Sequence, residues 1–302
     1  MADVTLEGGS VRHLVTSVAH RLQSEPEARW IVAHAAGLAP RRLSAALDRE
    51  ASAATVDAVQ RMTDRRVAGE PLQYILGEWS FRGLEVSVDG RALVPRPETE
   101  QVVEVALSEL RRLESGADGP AVAGTLVAVD LGTGSGVIAL SLAVEGPRGL
   151  DVWATDVSDD ALELARTNVS SVALSHPAAG RVHVVAGSWF DALPGVLEGG
   201  LHLVVSNPPY VSAAEWSELD PEVRDHEPRT ALVPGETGGE ALEALIDGAP
   251  RWLAPGGSLV LELAPHQADV MAARAEATGY VGIAVGTDLT GRDRTLVARR
   301  PI

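Results

Sequence analysis

The chain has no cysteine and no lysine. The first absence excludes disulfides, thiolate metal centres and cysteine nucleophiles. The second leaves arginine to carry all 25 basic charges, and against 42 acidic residues these give a formal net charge of −17. The arginines are scattered and form no stripe, so broad contact with a nucleic-acid backbone is not expected from so acidic a surface. No stretch reaches about 18 uninterrupted apolar residues, so no membrane span is expected. The first twenty residues mix Asp3, Glu7, Arg12, His13 and His20 among apolar ones, out of the order of a secretory signal. A cytoplasmic protein fits these absences. The eight histidines show no metal-ligand spacing, and no metal is expected. What the chain does have is apolar bulk: 45% of 302 residues is ample for one large core or two modest ones.

Residues 1 to about 76 read as helices. Apolar residues recur at mixed three- and four-residue spacings over 11–22, 28–36 and 51–68, with stops at Pro26, Gly37, Pro40 and the 69–71 turn. Ser24 and Ser44 are the expected caps. Such helices must bury their apolar faces on one another, giving a small bundle. The pattern then changes: Leu84, Val86 and Val88 alternate with polar residues, and Asp89-Gly90 followed by a further apolar run predicts a hairpin linker over 77–94. Thr99 is expected to cap a helix over 100–113, and a Gly/Ala-rich link over 115–124 follows.

From there strands alternate with helices. Strands are expected at 126–131, 151–154, 181–186, 203–206 and 258–263, with helices at 137–145, 159–169, 240–253 and 266–278. This rhythm predicts a doubly wound parallel α/β sheet of Rossmann type. Two final strands, 281–285 and 295–298, are joined by a short polar turn and predict an antiparallel hairpin at one sheet edge. A Pro255-Gly256-Gly257 turn precedes the 258–263 strand. A long polar loop from 212 to 239 follows the 203–206 strand and is placed to cover whatever lies at its end.

Three strand ends carry chemistry. The first strand runs into Gly132-Thr133-Gly134-Ser135-Gly136, where glycines permit a tight turn and leave helix amides free for a ligand. The alternating spacing departs from the dinucleotide pattern. Asp130 beside the loop suits an ammonium or sulfonium group rather than a pyrophosphate, which points to S-adenosylmethionine. Asp156 ends the second strand, where a carboxylate can accept from both ribose hydroxyls, although an aspartate before a helix also serves as a cap. Trp189, near the end of the third strand, can pack on adenine or belong to the core.

The fourth strand ends in Asn207-Pro208-Pro209-Tyr210. Two prolines cannot continue a ladder, so the tetrapeptide sits at the carboxyl end of its strand, where open α/β sheets bind ligands. The Asn207 side-chain oxygen and the Pro208 carbonyl together can grip both hydrogens of a planar NH2 group, with Tyr210 as a flat wall. A flipped DNA adenine and a protein amide both satisfy that geometry. A rigid turn with no chemistry is the plain structural alternative, as is a nucleoside-binding module without catalysis.

The glycine loop with Asn207 to Tyr210, in this order, resembles the amino-methyltransferases. More narrowly, the 71–81 stretch PLQYILGEWSF, LVPRPETE at 93–100 and EVRDHEPRTAL at 222–232 resemble the HemK/PrmC-type peptide chain release factor glutamine methyltransferases. The resemblance implies an N-terminal helical substrate-recognition domain (1–76) and a catalytic domain (95–302). It also implies S-adenosylmethionine as cofactor and the Gly-Gly-Gln loop of class I release factors as partner and substrate. Methylation would fall on the glutamine side-chain nitrogen, N5, and modulate translation termination. Asn207, Pro208, Pro209 and Tyr210 take the catalytic positions, and Gly132 to Gly136, Asp156, Trp189 and Asn207 the cofactor positions. A ribosomal-protein glutamine methyltransferase and a DNA adenine N6-methyltransferase are the alternatives. One departure stands out: Ser188 occupies a position where the family often has aspartate.

Overall fold

A computed structural model describes residues 9–116 and 124–302. The chain divides into two compact units, one up to Gly77 with 220–226, the other 78–219 with 227–302. Most of the 115–124 link lies outside the described residues.

The first unit is helical. Helix α1 (Val11–Leu22) buries Val11, Leu14, Val15 and Val18, and α2 (Glu25–Ala35) buries Ile31 and Val32. Ser24 caps α2 by accepting from the Glu27 N–H. Ser44 does not cap: it lies in the 3-10 turn Pro40–Ala46 and accepts from Arg29 instead. Ser52 caps α3 (Ala53–Val67), and α4 (Leu72–Leu76) ends on Gly77 at φ +75°. The separate 220–226 segment carries the short helix α8 (Pro221–Arg224). Arg66 of α3 holds it, donating to Glu222 at 2.8 Å and to Glu27 of α2 at 2.7 Å.

The second unit opens with a hairpin shifted from its expected position. Strands β1 (Glu78–Phe81) and β2 (Leu84–Ser87) pair antiparallel about Arg82-Gly83, not about Asp89-Gly90. Both turn residues have positive φ, +47° and +78°, the conformation a two-residue hairpin requires. Arginine is an unusual choice there, and Glu100 holds it by accepting the Arg82 N–H at 3.1 Å. Asp89 instead folds its carboxylate onto Arg91, and residues 91–96 form no strand.

Helix α5 (Pro97–Ser115) begins two residues before Thr99, and no side chain caps it. The remaining elements are β3 (Val127–Leu131), α6 (Val137–Glu145), β4 (Asp151–Asp156), α7 (Asp159–Ala173), β5 (Val182–Ala186), β6 (Leu201–Ser206), α9 (Glu240–Trp252), β7 (Leu253–Glu262), α10 (Ala268–Thr278), β8 (Val281–Thr287) and β9 (Asp293–Arg299). The strand order is β5-β4-β3-β6-β7-β9-β8. Strands β3 to β7 are parallel, and β9 and β8 close the edge antiparallel, as the sequence predicts. The 255–257 turn lies inside β7 as a bulge: Leu253 pairs Leu201, yet the next pair is Ser258 with Leu203.

Helices cover both faces of the sheet, so its central strands read as unbroken apolar runs. Alternation along β7 sends Leu259 and Leu261 into the core with Leu242, Leu245 and Ile246 of α9. Ser258 and Glu262 point the other way, to α5, where they meet Glu109 and Thr99. Two acids therefore lie buried beneath one helix.

Candidate active site

The loop after β3 is shaped by its glycines. Gly132, Gly134 and Gly136 have φ of +73°, +54° and +86°, the left-handed region that favours glycine. The N–H groups of Gly132 and Thr133 both donate to Thr155 O, folding the loop over β4. A Cβ on Gly132 would stand 3.3 Å from the Trp189 ring, and one on Gly136 3.4 Å from Ala165 of α7.

Asp130 lies beneath this loop, fully buried, and does not line the cavity. Its Oδ2 accepts from Thr133 Oγ1 at 2.6 Å and from the Ala139 N–H at 3.2 Å, so it ties the loop to the first turn of α6. Burial pushes its carboxyl up to about 7. The carboxylate that favours a cationic ligand over a pyrophosphate thus lies outside the cavity lining and shapes the loop from below.

Asp156 stands at the mouth, half-buried at the end of β4. One oxygen accepts from the Gly134 N–H and the other from the Ser158 N–H, both at 2.9 Å. It fixes the loop while keeping further lone pairs available to the cavity. Trp189 has φ +44°, costly for a bulky residue, and lies across Gly132. Ser188 is exposed and does not line the cavity.

One cavity collects these features. Gly132, Thr133, Gly134, Ser135, Asp156, Trp189, Asn207 and Pro209 line it, while Gly136, Pro208 and Tyr210 do not. Gly136 instead lets α6 pack against α7. The Asn207 Nδ2 donates to Thr99 Oγ1 at 3.2 Å, and Thr99 donates in turn to Glu262 Oε2 at 2.7 Å. The Tyr210 hydroxyl donates to Glu262 Oε1 at 3.1 Å, which turns the phenol toward β7. Burial and the neighbouring Glu262 raise the Tyr210 pKa above that of an ordinary phenol, and burial raises that of Glu262.

Sequence reasoning did not assign several walls of this cavity. Arg91 to Arg96, Thr99, Val157, Pro228, Thr230 and Ala231 all line it. Arg96 pairs with buried Glu227, joining the segment before α5 to the segment after α8. A glutamate ending the apolar run of β7 was the available signal for Glu262, because such a side chain must find partners when buried. Among the described residues no group of three or more metal-ligating side chains is present, and no helix is long and apolar enough to cross a membrane.

The sheet order and a glycine-loop cavity at its carboxyl edge define a methyltransferase of the class I fold. The methyltransferase small domain model matches residues 121–219 and the PrmC N-terminal domain model residues 15–77. Two solved structures share the fold. A methyltransferase from Pyrococcus furiosus aligns at TM-score 0.50 and 22% identity, covering 74% of this chain and 92% of its own. The hMettl16 catalytic domain aligns at TM-score 0.54 and 16% identity, covering 79% and 80%. Among curated relatives, the release factor glutamine methyltransferase of Deinococcus radiodurans is 40% identical, covering 96% of this chain and 98% of its own length. That of Bifidobacterium longum is 39% identical over 91% and 92%. The chain belongs to the release factor glutamine methyltransferases.

Proposed function

We propose that this enzyme transfers a methyl group from S-adenosylmethionine to the side-chain nitrogen, N5, of the glutamine in the Gly-Gly-Gln loop of class I peptide chain release factors. It would do so in the cytoplasm and thereby modulate translation termination. The observation that carries this reading is the convergence of Asp156, the glycine loop and Asn207 on one cavity, in a chain so similar to release factor enzymes over nearly its whole length. The fit to the donor rests on the loop itself. Glycine at 132 leaves backbone open beside an aromatic face, and Asp156 presents acceptors suited to a vicinal diol.

Bound there, the donor supplies an electrophilic methyl group on a sulfonium. Gly132 to Ser135 and Asp156 would hold it by backbone and carboxylate, with Trp189 against its base. An amide nitrogen is a weak nucleophile because its lone pair is delocalised into the carbonyl. Asn207 Oδ1, on a residue that lines the cavity, would accept from the substrate NH2, joined by the Pro208 carbonyl if the substrate reaches just past that lining, and this attraction would grow as the nitrogen becomes positive in the transition state. The transfer would exchange one N–H of the amide for N–CH3, the sulfonium would leave as a thioether, and the displaced proton would pass to solvent. Pro209 and Tyr210 stiffen the tetrapeptide so that the amide meets the methyl in line. The helical unit up to residue 76 serves to recognise the release factor body, with 77–94 as linker and 95–302 as the catalytic domain.

Labelled donor incubated in parallel with release factor, ribosomal protein and a DNA oligonucleotide tests the reading. Label is expected in the release factor, at the Gly-Gly-Gln glutamine. Label in the ribosomal protein or the DNA alone would overturn it.

A further inference from the structure

We propose that Glu262 and Thr99 form a polarity relay that fixes which end of the Asn207 carboxamide faces the substrate, making both positioning residues for the transfer. The inference rests on the assignment of Asn207 as the acceptor of the glutamine NH2.

An asparagine side chain has two orientations of similar shape and opposite hydrogen-bonding character. Only one presents oxygen to the cavity. Glu262 lies 1% exposed at the end of β7, and each of its two oxygens faces a hydroxyl that donates to it. It takes hydrogens from Thr99 Oγ1 at 2.7 Å and from the Tyr210 hydroxyl at 3.1 Å. Thr99 has a single hydroxyl hydrogen, and once that is committed to Glu262 its oxygen can only accept. The group facing it must therefore be the Asn207 NH2, which donates at 3.2 Å. The Asn207 oxygen is left as the free end of the carboxamide, on a residue that lines the cavity.

The direction of donation thus passes from a buried acid, through one hydroxyl, to the amide that meets the substrate. An NH2 is accepted there; a carboxylate in the same place would meet an oxygen. The tetrapeptide is also held from its far end. Gln267 Nε2 donates to Tyr210 O and to Gly238 O, each at 3.0 Å. These bonds hold the backbone at Tyr210, three residues from Asn207.

The relay is tested in the full-length chain with Thr99→Val, Thr99→Ser and Glu262→Gln. Valine keeps the shape of threonine but cannot accept, serine keeps the hydroxyl, and glutamine in place of Glu262 can donate to Thr99 and reverse the relay. With whole release factor as substrate, Thr99→Val and Glu262→Gln should each lower kcat by about tenfold or more, with donor affinity by calorimetry within about threefold of the parent. Thr99→Ser should keep kcat within about threefold. A second readout needs no turnover: hydrogen exchange at the Asn207 side-chain NH2, read by nitrogen-15 NMR, should quicken about tenfold in Thr99→Val and stay slow in Thr99→Ser. A Thr99→Val enzyme with parental kcat and parental Asn207 exchange, or a Thr99→Ser enzyme as impaired as Thr99→Val, overturns the relay. A parent that leaves release factor unmethylated sinks the functional reading instead, and Asn207 exchange then still decides the relay by itself.

Discussion

Asn207 at the end of β6 donates its side-chain NH2 to the hydroxyl of Thr99 in the first turn of α5, across 108 positions of sequence. That bond joins two motifs that look independent in the sequence, the Asn-Pro-Pro-Tyr tetrapeptide and the Pro-Arg-Pro-Glu-Thr-Glu run. It makes the start of α5 part of the site.

Removing the carboxamide should stop the chemistry while sparing the donor site. Asn207→Ala is expected to lower kcat by about 100-fold or more, the scale of losing a preorganised transition-state partner. Donor affinity measured by calorimetry should change little. Parental turnover on release factor would remove Asn207 from the mechanism.

Asp156→Ala should act on the donor instead. Its carboxylate accepts from the Gly134 N–H while facing the cavity, so truncation both loosens the loop and removes a charged acceptor. Donor affinity is expected to fall by about 10- to 100-fold, as for a lost hydrogen bond to a charged group. An unaltered dissociation constant would take Asp156 out of the donor site.

Gly238 is the glycine that most constrains the tetrapeptide. Its φ is +80°, and a Cβ there would lie 2.7 Å from Tyr210 O and 2.8 Å from the Ser212 N. Gly238→Ala should therefore destabilise the fold by about 1–3 kcal/mol through strain and displaced backbone. Turnover should suffer beyond what stability explains, because Tyr210 must move. Urea unfolding and steady-state kinetics on the same sample separate the two effects.

Asp130 should make stability fall with rising pH. Its folded carboxyl titrates at about 7, well above the ordinary aspartate value of 3.8. Between those values the folded state binds more protons than the unfolded chain. The stabilising contribution is therefore complete below about pH 4 and lost as pH rises through about 7, with a slope of at most about 1.4 kcal/mol per pH unit. Asp130→Asn removes the titration and can still accept from Thr133 and from the Ala139 N–H. Urea midpoints taken from pH 4 to 8 should decline less in the variant; identical slopes would exclude Asp130 as the source.

Much of the molecule could be read from local pattern. Helices α1 and α6 occur at their expected bounds, and β3 and β6 lie where apolar runs meet Gly132 and Asn207, because burial on both faces leaves an unbroken apolar signature. The hairpin lies earlier than the Asp89-Gly90 signal because its turn uses arginine in a left-handed conformation, held there by Glu100, eighteen residues on, and by ion pairs to Glu104 and Glu145. Asp130 beside the glycine loop was visible as a residue, but which side of the loop its carboxylate takes was not.

Composition, periodicity and strand-end motifs determine the layered α/β fold and place the glycine loop, Asp156 and Asn207 on one edge, because parallel strands must end together. The polarity of the site is a tertiary matter. Thr99 reads locally as a helix cap and Glu262 as an acid closing a strand, and only the packing of α5 across β6 and β7 brings them against Asn207 and Tyr210. A hydrogen bond's direction depends on what lies beyond each partner, and for Asn207 that is settled by a carboxylate from another strand.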